Sequence, residues 1–150
     1  MHGSSRRADG SSAEEYAHCG QLDRGLEFAR CRESDCHLHY GCLYEDVTFG
    51  AVNHGSAELR KFAVSIFEAV SDAKFELVDS SVDRGHRSIE WIFSGTDHGL
   101  YKTGKRFSVR GVSVIDLRQG RISRNLDYYD AASIMRQVGL LPSEKTDSTK

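Results

Sequence analysis

The run R-F-S-V-R-G-V-S-V-I-D-L-R-Q-G-R-I-S-R-N-L-D-Y-Y-D-A-A-S-I-M-R-Q-V-G-L-L-P, residues 106–142, contains two strands, a turn and a helix, each with its own spacing of apolar residues. Period two comes first. Phe107, Val109, Ser113, Ile115 and Leu117 share one face, with Gly111 leaving a gap in it, while Arg110, Val112, Val114 and Asp116 share the other. R-Q-G is a hairpin turn, and the next strand puts Ser123, Asn125, Asp127 and Tyr129 on one parity and Ile122, Arg124, Leu126 and Tyr128 on the other. The pattern then becomes helical. Asp130 precedes A-A-S-I-M-R-Q-V as an N-cap, Gly139 follows as C-cap, and Pro142 marks the stop.

Upstream, K-F-E-L-V-D-S-S-V-D and R-S-I-E-W-I-F-S-G-T-D read as two more strands of an antiparallel meander, separated by D-R-G-H and by the loop H-G-L-Y-K-T-G-K. Trp91, Phe93, Gly95 and Asp97 share a face. Before them, Leu59, Phe62, Ala63, Ile66, Phe67 and Val70 recur at three and four, which predicts a helix from Ala57 with Ser56 as its cap. E-D-V-T-F reads as a short strand and A-V-N-H-G-S as a loop. Further helices are expected over Ser12–Arg32 and from Cys36 to Tyr44. Helices first, then a strand meander, then a short helix make an α+β domain. Its expected extent is 12–142, between polar tails at 1–11 and 143–150 that have no apolar surface to bury.

With 150 residues, 39% hydrophobic and 28% charged, the chain has the composition of one globular domain. A net charge of −2 gives no electrostatic reason to expect nucleic acid or an anionic membrane. No apolar run reaches the ~18 residues of a membrane span, and no apolar stretch follows the N-terminal arginines, so a cytoplasmic protein is expected. Cys31, Cys36 and Cys42 lie close in sequence around His37 and His39, but without a C-x-x-C pair; buried reduced thiols are the reading, and no metal site is expected.

The segment from S-G-T-D-H-G-L-Y-K-T-G-K through R-G-V-S-V and R-N-L-D to Q-V-G-L-L-P resembles the SnoaL-like polyketide cyclases of the nuclear-transport-factor-two-like superfamily. That resemblance implies a cone-shaped curved antiparallel sheet wrapped around N-terminal helices and enclosing an apolar cavity, often in a homodimer packed sheet to sheet. It also implies ring closure of a hydrophobic small-molecule substrate without metal or organic cofactor, with the last-strand aspartate, here Asp127, as general acid/base. The chain departs from the family at Asp97, where His is frequent, and at Leu126, where Trp is frequent. Asp97 with R-N-L-D-Y-Y-D is similar to limonene epoxide hydrolase, except that Gly95 stands in place of its arginine.

The candidate catalytic residues are therefore Asp127, Asp97 and His98, with Asn125, Tyr129, Trp91, Phe93 and Tyr101 as substrate contacts. A carboxylate enclosed by aromatic rings has its charged form disfavoured, which lifts its pKa toward neutrality and suits it to move protons. Whether Asp127 faces inward depends on strand register, which pattern does not supply. A small-molecule binder without catalysis, an epoxide-opening enzyme and a dimerising accessory protein remain alternatives at this point.

Overall fold

A computed structural model of the chain describes residues 38–143. Six strands form one curved sheet: β1 (Leu38–Asp46), β2 (Ala51–His54), β3 (Lys74–Asp83), β4 (His86–Thr96), β5 (Arg106–Arg118) and β6 (Arg121–Tyr129). Helix α1 (Gly55–Ala69) lies between β2 and β3, and α2 (Ala131–Gln137) follows β6. The strand order is β2-β1-β6-β5-β4-β3. Every neighbouring pair is antiparallel except β1 and β6, which run parallel, so the sheet is mixed rather than wholly antiparallel.

The meander β3–β6 has the expected parity. On the inner face Ile89, Trp91 and Phe93 of β4 and Phe107, Val109 and Ile115 of β5 are buried. Val70 just after α1 and Ile134 and Val138 of the C-terminal helical region close over them. Two gaps in side-chain volume matter. A Cβ on Gly95 would run into Val70 beneath α1, and a Cβ on Gly111 would overlap the indole of Trp91, its register partner. The gap at Gly111 is thus filled by Trp91.

Four expectations near the ends of elements are corrected. The region 38–44 is strand, not helix, because its pairing with β6 on one side and β2 on the other satisfies backbone groups along it. A-V-N-H is the strand β2 rather than a loop; at four residues it is too short for alternation to be legible. Only Glu45 and Asp46 of E-D-V-T-F are strand, since Asp46 Oδ1 accepts the Phe49 amide and turns the chain. Ser56 does not cap α1: the cap position is His54, whose N–H donates to Glu58 at 2.7 Å.

Asp130 occupies the N-cap position of α2, but its side chain makes no capping bond and lies 3.7 Å from Arg136 instead. Gly139, with φ +84°, ends the helix as expected. A bulge at Ser123 shifts β6 against β5, so Leu117 pairs with Ile122 but Asp116 with Arg124. Ile122 thereby turns inward onto Cys42 and Leu59, against its simple parity. The helix expected over Ser12–Arg32, the tail 1–11, Cys31, Cys36 and all but Ser143 of the tail 143–150 lie outside the described residues.

The Trp91–Gly111 contact is testable. Gly111→Ala is expected to lower unfolding stability by about 1–3 kcal/mol through overpacking, read from the urea midpoint. Adding Trp91→Phe should return part of that loss.

Candidate active site

Asp127 pairs with Ser113 of β5 on one side and Asp46 of β1 on the other. Register therefore answers the question parity left open: Asp127 points inward, on the face of Trp91 and Ile115. The residue keeps a partly exposed flank while its carboxylate is enclosed. Three donors surround that carboxylate. Ser113 Oγ donates to Oδ1 at 2.6 Å, Asn125 Nδ2 donates to Oδ1 at 2.7 Å, and Tyr44 Oη donates to Oδ2 at 2.7 Å. Ser113 in turn accepts from Trp91 Nε1 at 2.9 Å.

A second carboxylate, Asp46, stands beside the first. It is 4% exposed and accepts from Tyr129 Oη at 2.7 Å and from the Phe49 amide at 2.9 Å. The two Tyr–Asp pairs are reciprocal: Tyr44 of β1 serves Asp127 of β6, and Tyr129 of β6 serves Asp46 of β1. Aromatic rings enclose the group. Tyr129 lies 5.9 Å from Trp91 and 6.0 Å from Phe49, and Tyr44 lies 5.4 Å from Phe62, measured between ring centroids.

Burial raises the Asp127 pKa above its ordinary value; the bonds from Ser113, Tyr44 and Asn125 oppose that rise, and the charge of Asp46 adds to it. Burial, and then the neighbouring carboxylates, hold the phenols of Tyr44 and Tyr129 firmly protonated. The result is a proton-avid carboxylate among neutral donors in a low-dielectric setting, an arrangement suited to general acid/base chemistry.

Residues 21–138 match the family profile of the SnoaL-like polyketide cyclases. The chain belongs to that family. Solved structures agree on the fold. The crystal structure of a putative SnoaL-like polyketide cyclase from Jannaschia sp. CCS1 superposes with a TM-score of 0.70 at 16% identity, covering 93% of this chain and all of that one. TsrD from Streptomyces laurentii gives 0.68 at 22% identity over 90% and 100% of the two chains. A protein of ketosteroid isomerase-like fold from Catenulispora acidiphila, in complex with trimethylamine, gives 0.66 at 17% identity over 77% and 88%. No curated protein sequence matches.

Within this SnoaL-like site the expected residues divide. Asp127, Asn125, Tyr129 and Trp91 are drawn together; Asp97, His98, Phe93 and Tyr101 are not part of the Asp127 hydrogen-bonded cluster. Asp97 is fully buried, but its carboxylate accepts the amides of Tyr101, Lys102 and Thr103 and the Thr103 hydroxyl, so it holds the β4–β5 loop. Burial pulls its pKa up, and those four donors outweigh it and leave the group below the ordinary aspartate value. His98 is exposed and fixed by its backbone N–H to Ala69 O at 3.0 Å. Phe93 stacks on Phe75 at 4.5 Å and meets Phe107 edge-on, as core. Tyr101 lies 6.5 Å from Phe49 between ring centroids and packs against the inner core cluster.

Gly95 leaves no room for the arginine of the epoxide hydrolase pattern, because even a Cβ there overlaps Val70. Sequence reasoning missed Tyr44, Asp46 and Ser113. For Tyr44 and Asp46 the signal was the Y-E-D alternation, split by reading 36–44 as helix and 45–49 as strand; for Ser113 it was the lone polar side chain on the apolar face of β5. Among the described residues no group of three or more His, Cys, Asp or Glu side chains is placed to hold a metal, and Cys42 is packed against Leu59.

A raised carboxyl pKa has a stability signature of definite sign. The folded state binds the extra proton, so the contribution of Asp127 to stability falls as pH rises from the ordinary value of 3.8 through the raised folded value, and stays low above it. Asp127→Asn removes that cost. The variant should melt above the parent at neutral pH, with the gap closing below pH ~4, read from paired thermal melts.

Proposed function

We propose that this SnoaL-like protein is an acid/base enzyme, using neither metal nor organic cofactor, that closes a ring in a hydrophobic, polyketide-type intermediate, with Asp127 as the proton carrier. The observation that carries this reading is the enclosed Asp127 carboxylate, held by three donors beside a second carboxylate. In the reaction, ionised Asp127 takes a proton from a carbon next to a carbonyl. The enolate carbon then attacks a second carbonyl carbon of the same molecule, forming the C–C bond and leaving an alkoxide. Asp127, now protonated, returns the proton to that oxygen. The net change is an isomerisation, so atoms and charge balance. A raised pKa favours the first half, since it makes the carboxylate a stronger base.

The first half-step is measurable without knowing the natural substrate. In D2O, the protein should catalyse exchange of the acidic C–H of a hydrophobic aryl β-keto ester, and Asp127→Asn should lose about 100- to 10,000-fold of that rate. Exchange undiminished in the variant would remove Asp127 from the chemistry. The pH profile should fall on the acid side as Asp127 takes up its proton.

A homodimer through the outer sheet face belongs to the same proposal. That face presents Val112, half-exposed Val114 and Tyr128, the Arg110–Glu90 ion pair at 3.1 Å and a groove of about 400 Å³ whose lining includes Ser81, Ser88, Val112 and Tyr128. Sedimentation equilibrium should return twice the chain mass, and Val114→Glu should return the monomer.

A further inference from the structure

We propose that Trp91 is a positioning residue for Asp127, acting through Ser113, and that Asp127 Oδ2 is consequently the oxygen that exchanges protons with substrate. This rests on the acid/base reading above and assigns the indole a task other than lining the site.

The chemistry of the three groups leaves little choice. An indole N–H only donates, so at 2.9 Å Ser113 Oγ must accept from it. The serine has one proton of its own, and at 2.6 Å Asp127 Oδ1 accepts it. Without the indole the hydroxyl could rotate; with it, the hydroxyl proton is committed to Asp127. The indole itself cannot drift. Trp91 is 6% exposed, its ring lies over Gly111, and Phe75 meets it edge-on at 5.7 Å. Ser113 is 8% exposed, so water has little access to replace either bond.

The effect on the carboxylate is asymmetric. Oδ1 accepts two bonds, from Ser113 and Asn125, whereas Oδ2 accepts one, from Tyr44, among the described residues. Oδ2 keeps the acceptor position that a substrate proton needs. Four strands thus hold one carboxylate plane: β1 through Tyr44, β6 through Asn125, β5 through Ser113, and β4 through Trp91 acting on Ser113. Among the described residues, the titratable groups facing Asp127 are Asp46 and Tyr44 on β1 and Tyr129 on β6; α1 presents the uncharged Phe62 to Tyr44.

The test is a double-variant cycle read by ¹³C-carboxyl NMR titration of Asp127 in the full-length, ligand-free protein, with Asp127→Asn providing the assignment. Ser113→Ala should raise the Asp127 pKa by about one unit, because a bond favouring the ionised form is lost. Trp91→Phe should raise it by less, and the double variant should match Ser113→Ala alone. Ser113→Thr, which keeps the hydroxyl, should retain the parent value. If Trp91→Phe proves poorly folded, benzothienylalanine replaces the N–H by sulfur in nearly the same shape, and the chain's single Trp makes that labelling specific. A Trp91 effect that persists undiminished in the Ser113→Ala background, or no effect in either, overturns the proposal. That failure is separable from failure of the enzyme reading. If the cycle is additive yet Asp127→Asn abolishes deuterium exchange, the acid/base role stands without Trp91. If the cycle is coupled and Asp127→Asn still exchanges, the catalytic sense of the positioning is overturned with the acid/base role.

Discussion

The parallel pairing of β1 with β6 is the constraint on which the site depends. It sets Asp46 against Asp127 and Tyr44 against Asn125, and so brings two carboxylates into one buried row. Two buried like charges side by side are costly unless each has donors and one can take a proton. The reciprocal Tyr–Asp bonds supply the donors from within the same two strands. Asp46 also accepts the Phe49 amide and turns the chain into β2, so one carboxylate shapes the β1–β2 hairpin and raises the proton affinity of its neighbour.

The inner face combines a polar row with an apolar remainder. Along the sheet the sequence Ile89, Ser113, Asp127, Asp46 crosses four strands, while the adjacent row runs Trp91, Gly111, Tyr129. The polar row can exist only because its members satisfy each other. Ser113 is bracketed by a donor and an acceptor, and Asp127 by three donors. The aromatic row keeps water scarce, which strengthens those bonds and penalises any that are missing. Gly111 links the rows, since its absent side chain is what lets the indole lie close enough to reach Ser113.

Asp97 and Asp127 show why two aspartates that look alike in sequence have opposite fates. Both lie on inward parity near aromatic residues. Asp97 falls just past the end of β4, where the chain bends and three consecutive amides converge on it, so its charge is held by the loop it organises. Asp127 lies within β6, where no backbone amide serves its carboxylate in the hydrogen bonds described and the donors are side chains, Ser113 and Tyr44 from neighbouring strands and Asn125 from its own. One is pushed below the ordinary aspartate value and the other above it.

Alternation along residues 74–129 determined the meander and the inward faces of β4 and β5, and helical spacing with Gly139 and Pro142 determined the closing helix, because side-chain period and turn chemistry are local properties of the chain. The likeness in T-G-K-R, R-G-V-S-V and Q-V-G-L-L-P reached the family and singled out Asp127. Local pattern did not reach β1 and β2. β1 owes its strand identity in part to β6, some 80 residues away, and β2, paired with β1 alone, is a four-residue edge strand that carries no legible period. The inward turn of Ile122 required a bulge that adds one residue against β5. The pairing of Asp46 rather than Asp97 with Asp127 was likewise decided only in the folded sheet, since register between distant strands is set by packing and not by either strand's own sequence.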